Sequence, residues 1–186
     1  MLPAVACSSE EMTDVPKNAW YHDAVDYMMR KGLMTGMSAS AFEPEGTLTR
    51  AQLVTVLYRI AGEPTVTGKM PFTDVEGGQW YSDAILWAAQ NGVVNGVTLT
   101  TFAPNAPITR EQIATILYRY TKSDAAQENK LSAFPDANKV SEYAVEAMNW
   151  AVAEGLIAGS DGKLLPQNNA TRAQIATILM RWLESK

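Results

Sequence analysis

Three copies of a Thr-Arg-x-Gln tetrad are the residues of this chain best suited to bind a charged ligand. Each copy stands just before a run with helical periodicity. A threonine followed three residues later by a glutamine is a capping box, in which both side chains bond backbone N–H groups at the start of a helix. The arginine then occupies the first helical position, where the helix dipole disfavours a cation by about 0.3–1 kcal/mol. Its recurrence predicts anion-binding sites made from a guanidinium and the backbone donors of a helix N-terminus. The three arginines are Arg50, Arg110 and Arg172.

A second set of polar and aromatic residues recurs upstream of each tetrad. An aspartate closes each opening segment, where it could cap the following turn or form a structural ion pair with the tetrad arginine. An aromatic residue follows it, either as a surface for a ligand or as a core residue between modules. The aspartates are Asp14, Asp74 and Asp136, and the aromatic residues are Trp20, Trp80 and Tyr143.

The tetrads lie 60 and then 62 residues apart, so the chain is a threefold internal repeat. Each repeat has five parts in the same order: the opening segment, a helix, a turn closed by two glycines, a loop with a buried apolar residue and a proline, and the tetrad helix. The first glycine stands where a left-handed residue ends a helix. The glycine pairs are Gly32 and Gly36, Gly92 and Gly96, and Gly155 and Gly159, and the loop residues are Phe42, Phe102 and Leu164.

The apolar faces of the tetrad helices need a partner surface, which stacked repeats supply. We therefore expect one structural unit, with a disordered leader over residues 1–11 and repeats over 12–62, 70–122 and 132–184. Trp87, Trp150 and Trp182 lie on apolar helix faces and are expected to pack in the core.

The composition excludes several classes of protein. Of the 186 residues 47% are hydrophobic, and the formal net charge of −5 argues against a nucleic-acid surface. No apolar run reaches the length of a membrane span, about 18 residues. The single cysteine, Cys7, excludes a disulfide or a cysteine-based metal site within one chain, and we expect no metal or cofactor. Residues 4–6 fit the end of a signal peptide and Cys7 a lipidation site, although a disordered leader accounts for both.

Taken together, the five parts resemble S-layer homology modules. The resemblance is carried by Phe-x-Asp-Val, Trp-Tyr with an Ala-rich helix, Gly-x-x-x-Gly, Phe-x-Pro and Ile-Thr-Arg-Glu-Gln, which recur in order from about Met12 to Glu184. It implies an all-α fold of three tandem helix-loop-helix repeats in a pseudo-threefold arrangement, with a central three-helix bundle and three prongs. It further implies non-covalent attachment of exported proteins to bacterial cell-wall polysaccharide, often pyruvylated, with the ligand in grooves between the prongs.

The residues agree with a ligand of that kind. A pyruvyl ketal is a small anion on a sugar, so a guanidinium can bind it while an aromatic ring stacks on the sugar and an aspartate accepts its hydroxyl groups or orients the arginine. The family's usual acid at the end of the tetrad is a glutamine here in every repeat. The candidate ligand-binding residues are Arg50, Arg110, Arg172, Asp14, Asp74, Asp136, Trp20, Trp80, Gly36 and Gly96, with Tyr143 as a further aromatic surface.

The third repeat departs most from this pattern. Its loop residue is Leu164 in place of phenylalanine, and its aromatic pair has become Glu142-Tyr143. We therefore expect the site of Arg172 to be weaker than the other two.

The resulting hypothesis is a secreted, non-catalytic module that anchors a protein to the bacterial cell wall, with the secondary cell-wall polysaccharide as its partner. The alternative is a protein-interaction or self-assembly scaffold at the cell surface, so self-association is left open. An enzyme is disfavoured because the chain holds one histidine, no Ser/His/Asp set and no phosphate-binding loop.

Overall fold

The computed structural model describes residues Ser8–Lys186, and the predictions about Cys7 and the residues before it lie outside this range. Within it, the chain forms six α-helices joined by turns, short 3-10 segments and isolated β-bridges, without an extended strand. The predicted all-α class is therefore confirmed for Ser8–Lys186, while the pseudo-threefold arrangement with a central bundle and prongs stays a prediction. The helices are α1 His22–Arg30, α2 Arg50–Ile60, α3 Ser82–Gln90, α4 Arg110–Thr121, α5 Val145–Ala153 and α6 Arg172–Glu184.

The three tetrad helices, α2, α4 and α6, begin with the predicted capping boxes. At α2 the backbone N–H of Gln52 donates to Thr49 Oγ1 at 3.2 Å, and the N–H of Thr49 donates to Gln52 Oε1 at 2.9 Å. The same two bonds recur at α4 and α6. Two of the orphan N–H groups at each helix start are thus satisfied within the tetrad itself, which fixes the arginine as the first helical residue.

The shorter helices, α1, α3 and α5, end at the predicted glycines. Gly32, Gly92 and Gly155 have φ of 68°, 68° and 69°, the left-handed conformation that glycine adopts without steric cost. The chain turns there and enters the loop that carries the buried apolar residue. That residue is fully buried in all three repeats, as predicted for Phe42, Phe102 and Leu164.

The chain divides into two compact units. The first is discontinuous and comprises residues 1–47 and 171–186, described from Ser8; in it α1 packs against α6. The second comprises residues 48–170, in which α3 packs against α2 and α5 packs against α4. In each pair a tetrad helix contacts the short helix of another repeat.

Aromatic side chains fill the helix pairs of the second unit. The ring of Trp87 on α3 lies 5.6 Å from Tyr58 on α2 and 5.8 Å from Tyr120 on α4, and Trp150 on α5 lies 5.5 Å from Tyr118. These separations are typical of favourable edge and tilted ring contacts. The predicted packing role of the helix tryptophans is confirmed, since Trp87, Trp150 and Trp182 are 7%, 4% and 8% exposed.

The second unit also holds a closed ring of backbone hydrogen bonds with one residue from each repeat. The N–H of Ile108 donates to Leu48 O at 2.9 Å, that of Ala170 to Ile108 O at 3.0 Å, and that of Leu48 to Ala170 O at 3.4 Å. Each of the three is buried and stands directly before a tetrad. The ring therefore joins one residue of each repeat within the second unit.

Candidate functional site

The three tetrad arginines are buried against the apolar loop of another repeat. Their exposed fractions are only 5–6%, and each Nε donates to the carbonyl oxygen of the fully buried loop residue. These bonds run from Arg50 to Phe102 at 2.8 Å, from Arg110 to Leu164 at 2.7 Å and from Arg172 to Phe42 at 2.7 Å. Burial lowers the pKa of all three guanidinium groups, although arginine stays protonated in proteins.

Two of the arginines also lie over the ring of the loop phenylalanine. The Arg50 Cζ is 4.6 Å from the centroid of Phe102, and the Arg172 Cζ is 4.4 Å from that of Phe42. This geometry is favourable for a cation–π contact. The altered loop residue of the third repeat, Leu164, lies beside Arg110. The expectation that the Arg172 site is the weakest assumed that Leu164 would lie beside Arg172.

The opening-segment aspartates hold the loops on which the arginines rest. The carboxylate of Asp74 accepts the backbone N–H groups of Phe102 at 2.8 Å and Ala103 at 2.7 Å. Asp14 and Asp136 accept the corresponding pairs of amides in their own repeats. These bonds reach 28 and 29 residues along the chain, so the carboxylates do not cap the following turn. Within Ser8–Lys186 no tetrad arginine forms a direct ion pair with any of the three aspartates.

The carboxylate of Asp74 is also held in its charged form. Desolvation raises the pKa of Asp74, but hydrogen bonds from Phe102, Ala103 and its own amide, together with the charge of Arg50, outweigh that effect. The net result is a pKa below the ordinary aspartate value. The residue after each loop residue has positive φ (59° at Ala103), a strained conformation that the two amide bonds to the aspartate hold in place.

The backbone donors at the helix starts are already occupied by protein carbonyls. At α2 the N–H of Arg50 donates to Ala106 O and that of Ala51 donates to Pro104 O, both at 3.0 Å. The first two residues of α4 and α6 make equivalent bonds. The expected contribution of helix N-terminal N–H groups to an anion site is therefore not available, and the guanidinium itself remains as the donor.

Arg50 faces a cavity of about 430 Å³ within the second unit. Its Nη2 donates to Asn95 O at 3.3 Å, while no partner is recorded for its Nη1 among residues 8–186. One wall of the cavity is a stripe of α4 with the helical spacing i, i+3, i+4 and i+7. The lining residues are Arg50, Asn95, Gly96 and Val97, then Gln112, Thr115, Ile116 and Arg119 of that stripe, and Tyr143.

Tyr143 is anchored at the edge of this cavity by a buried carboxylate. Glu111 is 4% exposed and accepts hydrogen bonds from Tyr143 Oη at 3.0 Å, Ser141 Oγ at 2.7 Å and the N–H of Ser141 at 3.0 Å. Burial of the hydroxyl and the charge and hydrogen bond of Glu111 raise the pKa of Tyr143 to about 12, against the opposing charges of Arg50 and Arg119. Tyr143 nevertheless remains 54% exposed as a residue.

The aromatic residues before the short helices are exposed in all three repeats. Trp20 and Trp80 are 63% and 62% exposed, so they are not core residues, and each ring contacts the next tyrosine edge-on. Tyr143, and not Glu142, is the structural counterpart of Trp20 and Trp80. Each of these aromatic residues is followed by the N-cap residue of its helix, which has φ near −100° in all three repeats. Tyr143 lines the Arg50 cavity, whereas Trp20 and Trp80 are not among its lining residues.

Gly36 and Gly96 are required by close packing of the turn that faces the arginine. A Cβ at Gly96 would lie 2.2 Å from Thr98 O and 2.5 Å from Thr101 O, and one at Gly36 would lie 2.6 Å from Ser38 O. The carbonyl just before each glycine accepts from a guanidinium: Asn95 O from Arg50, and Thr35 O from Arg172 at 2.7 Å. The glycines thus place a carbonyl against the arginine, and Gly96 also lines the cavity.

Several residues in and beside the cavity were not predicted from the sequence, although signals for three of them are present. Glu111 stands where the other two tetrads have alanine, Ala51 and Ala173, so the comparison of repeats marks it as different. The spacing of Gln112 and Arg119 on one face of α4 marks them as neighbours along a wall. No local signal marks Asn95, since it contributes its backbone carbonyl.

Residues Ser8–Lys186 also bear on two other classes of site. No helix in this range is long and apolar enough to cross a membrane, and no group of three or more His, Cys, Asp or Glu side chains is arranged to hold a metal ion.

Comparison with known proteins identifies the repeats. The model of the S-layer homology domain matches residues 11–54, 71–114 and 133–176. The Surface-layer 125 kDa protein of Lysinibacillus sphaericus is 34% identical over 183 residues, 96% of this chain and 15% of that protein. An endoglucanase of Bacillus sp. (strain KSM-635) is 32% identical over 90% of this chain and 18% of its own length. The S-layer protein sap of Bacillus anthracis is 30% identical over 95% of this chain and 22% of its own length.

The chain therefore spans less than a quarter of the length of these curated relatives. In the endoglucanase the matched part is a small added region beside the rest of the enzyme. The S-layer homology domain is a non-catalytic anchoring module that binds cell-wall polymers, and the S-layer relatives support a location at the cell surface and cell wall. With three tandem matches that cover most of its residues, this chain belongs to the S-layer homology family.

Proposed function

We propose that this chain anchors a surface protein by binding an anionic, pyruvylated secondary cell-wall polysaccharide through its tetrad arginines. The observation that carries the proposal is the Arg50 cavity. It combines a guanidinium with an uncommitted Nη1, an exposed phenol ring and a polar helix face in one concave site. Such a set suits an acidic sugar, which presents one charge, one apolar ring face and several hydroxyl groups.

Arg50 is preorganised for a carboxylate. Its Nε and Nη2 are held by Phe102 O and Asn95 O, and the Phe102 ring supports the guanidinium plane. A carboxylate can then approach the Nη1 side without ordering a flexible side chain, so little conformational entropy is lost on binding. Because Arg50 is only 5% exposed as a residue, the charge of its guanidinium is only partly screened by water.

The remaining ligand groups would contact the cavity walls. The exposed face of Tyr143 offers a stacking surface for a sugar ring, and Gln112 and Thr115 offer polar groups to its hydroxyls. The other two tetrads also present a buried arginine, but the loop residues and carbonyls that hold it differ. Arg172 rests on Phe42 and donates to two carbonyls, while Arg110 rests on Leu164 and makes one such bond.

The aspartates take part indirectly. Asp74 holds the loop whose Phe102 carbonyl orients Arg50, so it is proposed to position the arginine rather than to accept sugar hydroxyls. Asp14 and Asp136 hold the equivalent loops for Arg172 and Arg110.

The proposal is tested by co-sedimentation with purified cell-wall sacculi before and after chemical removal of the secondary polymer. We expect wild type to bind only the untreated sacculi and an Arg50→Ala/Arg110→Ala double variant to lose at least about tenfold in affinity, the value of one charge-assisted hydrogen bond. Arg59→Ala is the matched control, since Arg59 is paired with Glu63 at 3.8 Å and does not line the cavity. Equal binding by wild type and a folded double variant would refute the mechanism.

A protein-interaction scaffold is the second candidate, favoured by one observation. Val97 and Leu99, which follow the two-glycine turn of the second repeat, are 52% and 97% exposed. A scaffold that self-assembles through them would form concentration-dependent oligomers that light scattering detects, and it would bind sacculi regardless of their polymer.

A further inference from the structure

The α4 wall of the Arg50 cavity ends in a second cation. Its residues Gln112, Thr115, Ile116 and Arg119 form a continuous stripe along two turns of the helix. Seven residues of α-helix rise roughly 10 Å along the axis. The stripe therefore leads from the start of α4 to Arg119, so the cavity is extended along the helix and has two guanidinium groups in its lining.

The Arg119 guanidinium is not committed to the protein. Among residues 8–186 no hydrogen bond or ion pair is recorded for it, and its repeat-one counterpart Arg59 pairs with Glu63 four residues later. Ser123 stands at the corresponding position after Arg119, so that intrahelical partner is missing. A partly exposed guanidinium without a carboxylate partner can bind a ligand anion without first breaking a protein ion pair.

Both guanidinium groups act on the same point of the cavity. The charges of Arg50 and of Arg119 each favour ionisation of the Tyr143 hydroxyl, which places both within electrostatic range of that ring. The carboxylate that anchors Tyr143, Glu111, accepts hydrogen bonds from Ser141 and from Tyr143. Its charge is therefore partly compensated by three donors, and the two cations remain available to a ligand.

We propose that Arg119 forms a second anion subsite, so that this cavity takes a glycan segment with acidic groups on two neighbouring sugars. One acidic group binds Arg50, the other binds Arg119, and Tyr143 stacks on one of the two sugar rings. This inference rests on the proposed function and makes it more specific, because a segment with one charge fills only half of the site.

The test compares two probes by isothermal titration calorimetry on the full chain. The monoacid probe is the methyl glycoside of a hexosamine with one pyruvyl ketal, and the diacid probe is the disaccharide in which the neighbouring sugar is a uronic acid. We expect the diacid to bind wild type about tenfold more tightly than the monoacid, with a stronger dependence on salt. Arg119→Ala is expected to remove that difference, because it weakens binding of the diacid much more than binding of the monoacid.

Controls separate this inference from the function on which it rests. Arg59→Ala removes the equivalent charge from α2 and is expected to preserve the preference for the diacid, and Arg119→Gln provides a second variant if the alanine variant unfolds. If wild type binds the monoacid and diacid equally, or if folded Arg119 variants keep the preference, the second subsite is refuted while the proposed function stands. If neither probe binds wild type, both are refuted.

Discussion

Each tetrad arginine is held by the protein and, in the function proposed above, also binds a ligand. The Nε of Arg50 satisfies a buried carbonyl, while its Nη1 has no recorded partner among residues 8–186 and is the proposed ligand donor. A buried guanidinium that loses its acceptor is costly, so the protein bonds protect the charge when no ligand is present. The sequence alone could not separate these two roles, because they belong to different nitrogen atoms of one side chain.

At the residue scale, Glu111 is predicted to control Tyr143. Replacing Glu111 by alanine removes the acceptor of three donors, and we expect a loss of roughly 1–3 kcal/mol in the free energy of unfolding. The pKa of Tyr143 should fall from about 12 towards the ordinary tyrosine value, since the neighbouring negative charge is gone. Ultraviolet titration of tyrosinate, as a difference against Tyr143→Phe, measures this shift.

The matched control for Glu111 is Glu146, which accepts from Tyr118 Oη at 2.9 Å in an exposed contact. Glu146→Ala should leave the titration of Tyr143 unchanged and cost little stability. An unaltered Tyr143 titration in a folded Glu111→Ala variant would contradict the role assigned to Glu111.

A second residue-scale prediction concerns acid stability. Because the folded-state pKa of Asp74 lies below its unfolded value, its carboxylate stabilises the fold above the ordinary aspartate pKa of about 4. That contribution is lost as the pH falls through the lower folded-state pKa. Asp74→Asn is expected to be less stable at neutral pH and to lose less on acidification, which chemical denaturation between pH 7 and pH 2.5 would measure.

Asp83→Asn serves as the comparison, because this substitution removes the same charge from an exposed position in the first turn of α3. Its acid profile should follow that of wild type. Parallel stability curves for wild type and Asp74→Asn would be inconsistent with the loop bonds of Asp74 being maintained by its charge.

At the element scale, local signals were sufficient where the relevant contacts are close in sequence. Thr49 and Gln52 are three residues apart, and Gly32 follows its helix directly, so a capping box and a helix end could be predicted from residue types. The partner of Arg50 is Phe102, 52 residues away, and the amides that Asp74 binds are 28 and 29 residues away. No local pattern specifies such pairs, and this is why the altered Leu164 was assigned to Arg172 instead of Arg110.

The two-glycine turn gives an element-scale prediction. Gly96→Ala would place a Cβ 2.2 Å from Thr98 O, so the turn must shift, and we expect this to disturb the bond between Arg50 and the adjacent Asn95 carbonyl. We expect destabilisation of about 1–3 kcal/mol, typical of overpacking, and weaker binding to sacculi.

Gly77→Ala is the control for that substitution, because its Cβ would meet no atom within 4 Å and its φ is not positive. Thermal unfolding should therefore be nearly unchanged for Gly77→Ala and clearly lowered for Gly96→Ala. Similar melting temperatures for the two variants would show that the turn can relax around a methyl group.

At the scale of the whole molecule, the order of helix pairs departs from the order of the sequence repeats. The tetrad helices α2 and α4 pack against the short helix of the following repeat, and α6 packs against α1 of the first. The first compact unit is consequently built from both ends of the chain. A single repeat lacks the partner of its own tetrad helix, so stability depends on at least one neighbour.

The last prediction follows from this discontinuous unit. Deletion of residues 171–186 removes α6 with its buried Ile175, Leu179 and Trp182. It also removes Arg172, so the carbonyls of Thr35 and Phe42 lose their guanidinium donor. Burial of each large apolar side chain contributes about 1.5–3 kcal/mol, so the combined loss is comparable with the whole stability of a typical domain. We expect the amides of α1 to lose protection from hydrogen exchange, whereas α3 and α5 keep theirs because α2 and α4 remain. Deletion of residues 185–186 alone should leave α1 protected, and persistent protection of α1 after loss of the whole helix would contradict its dependence on α6.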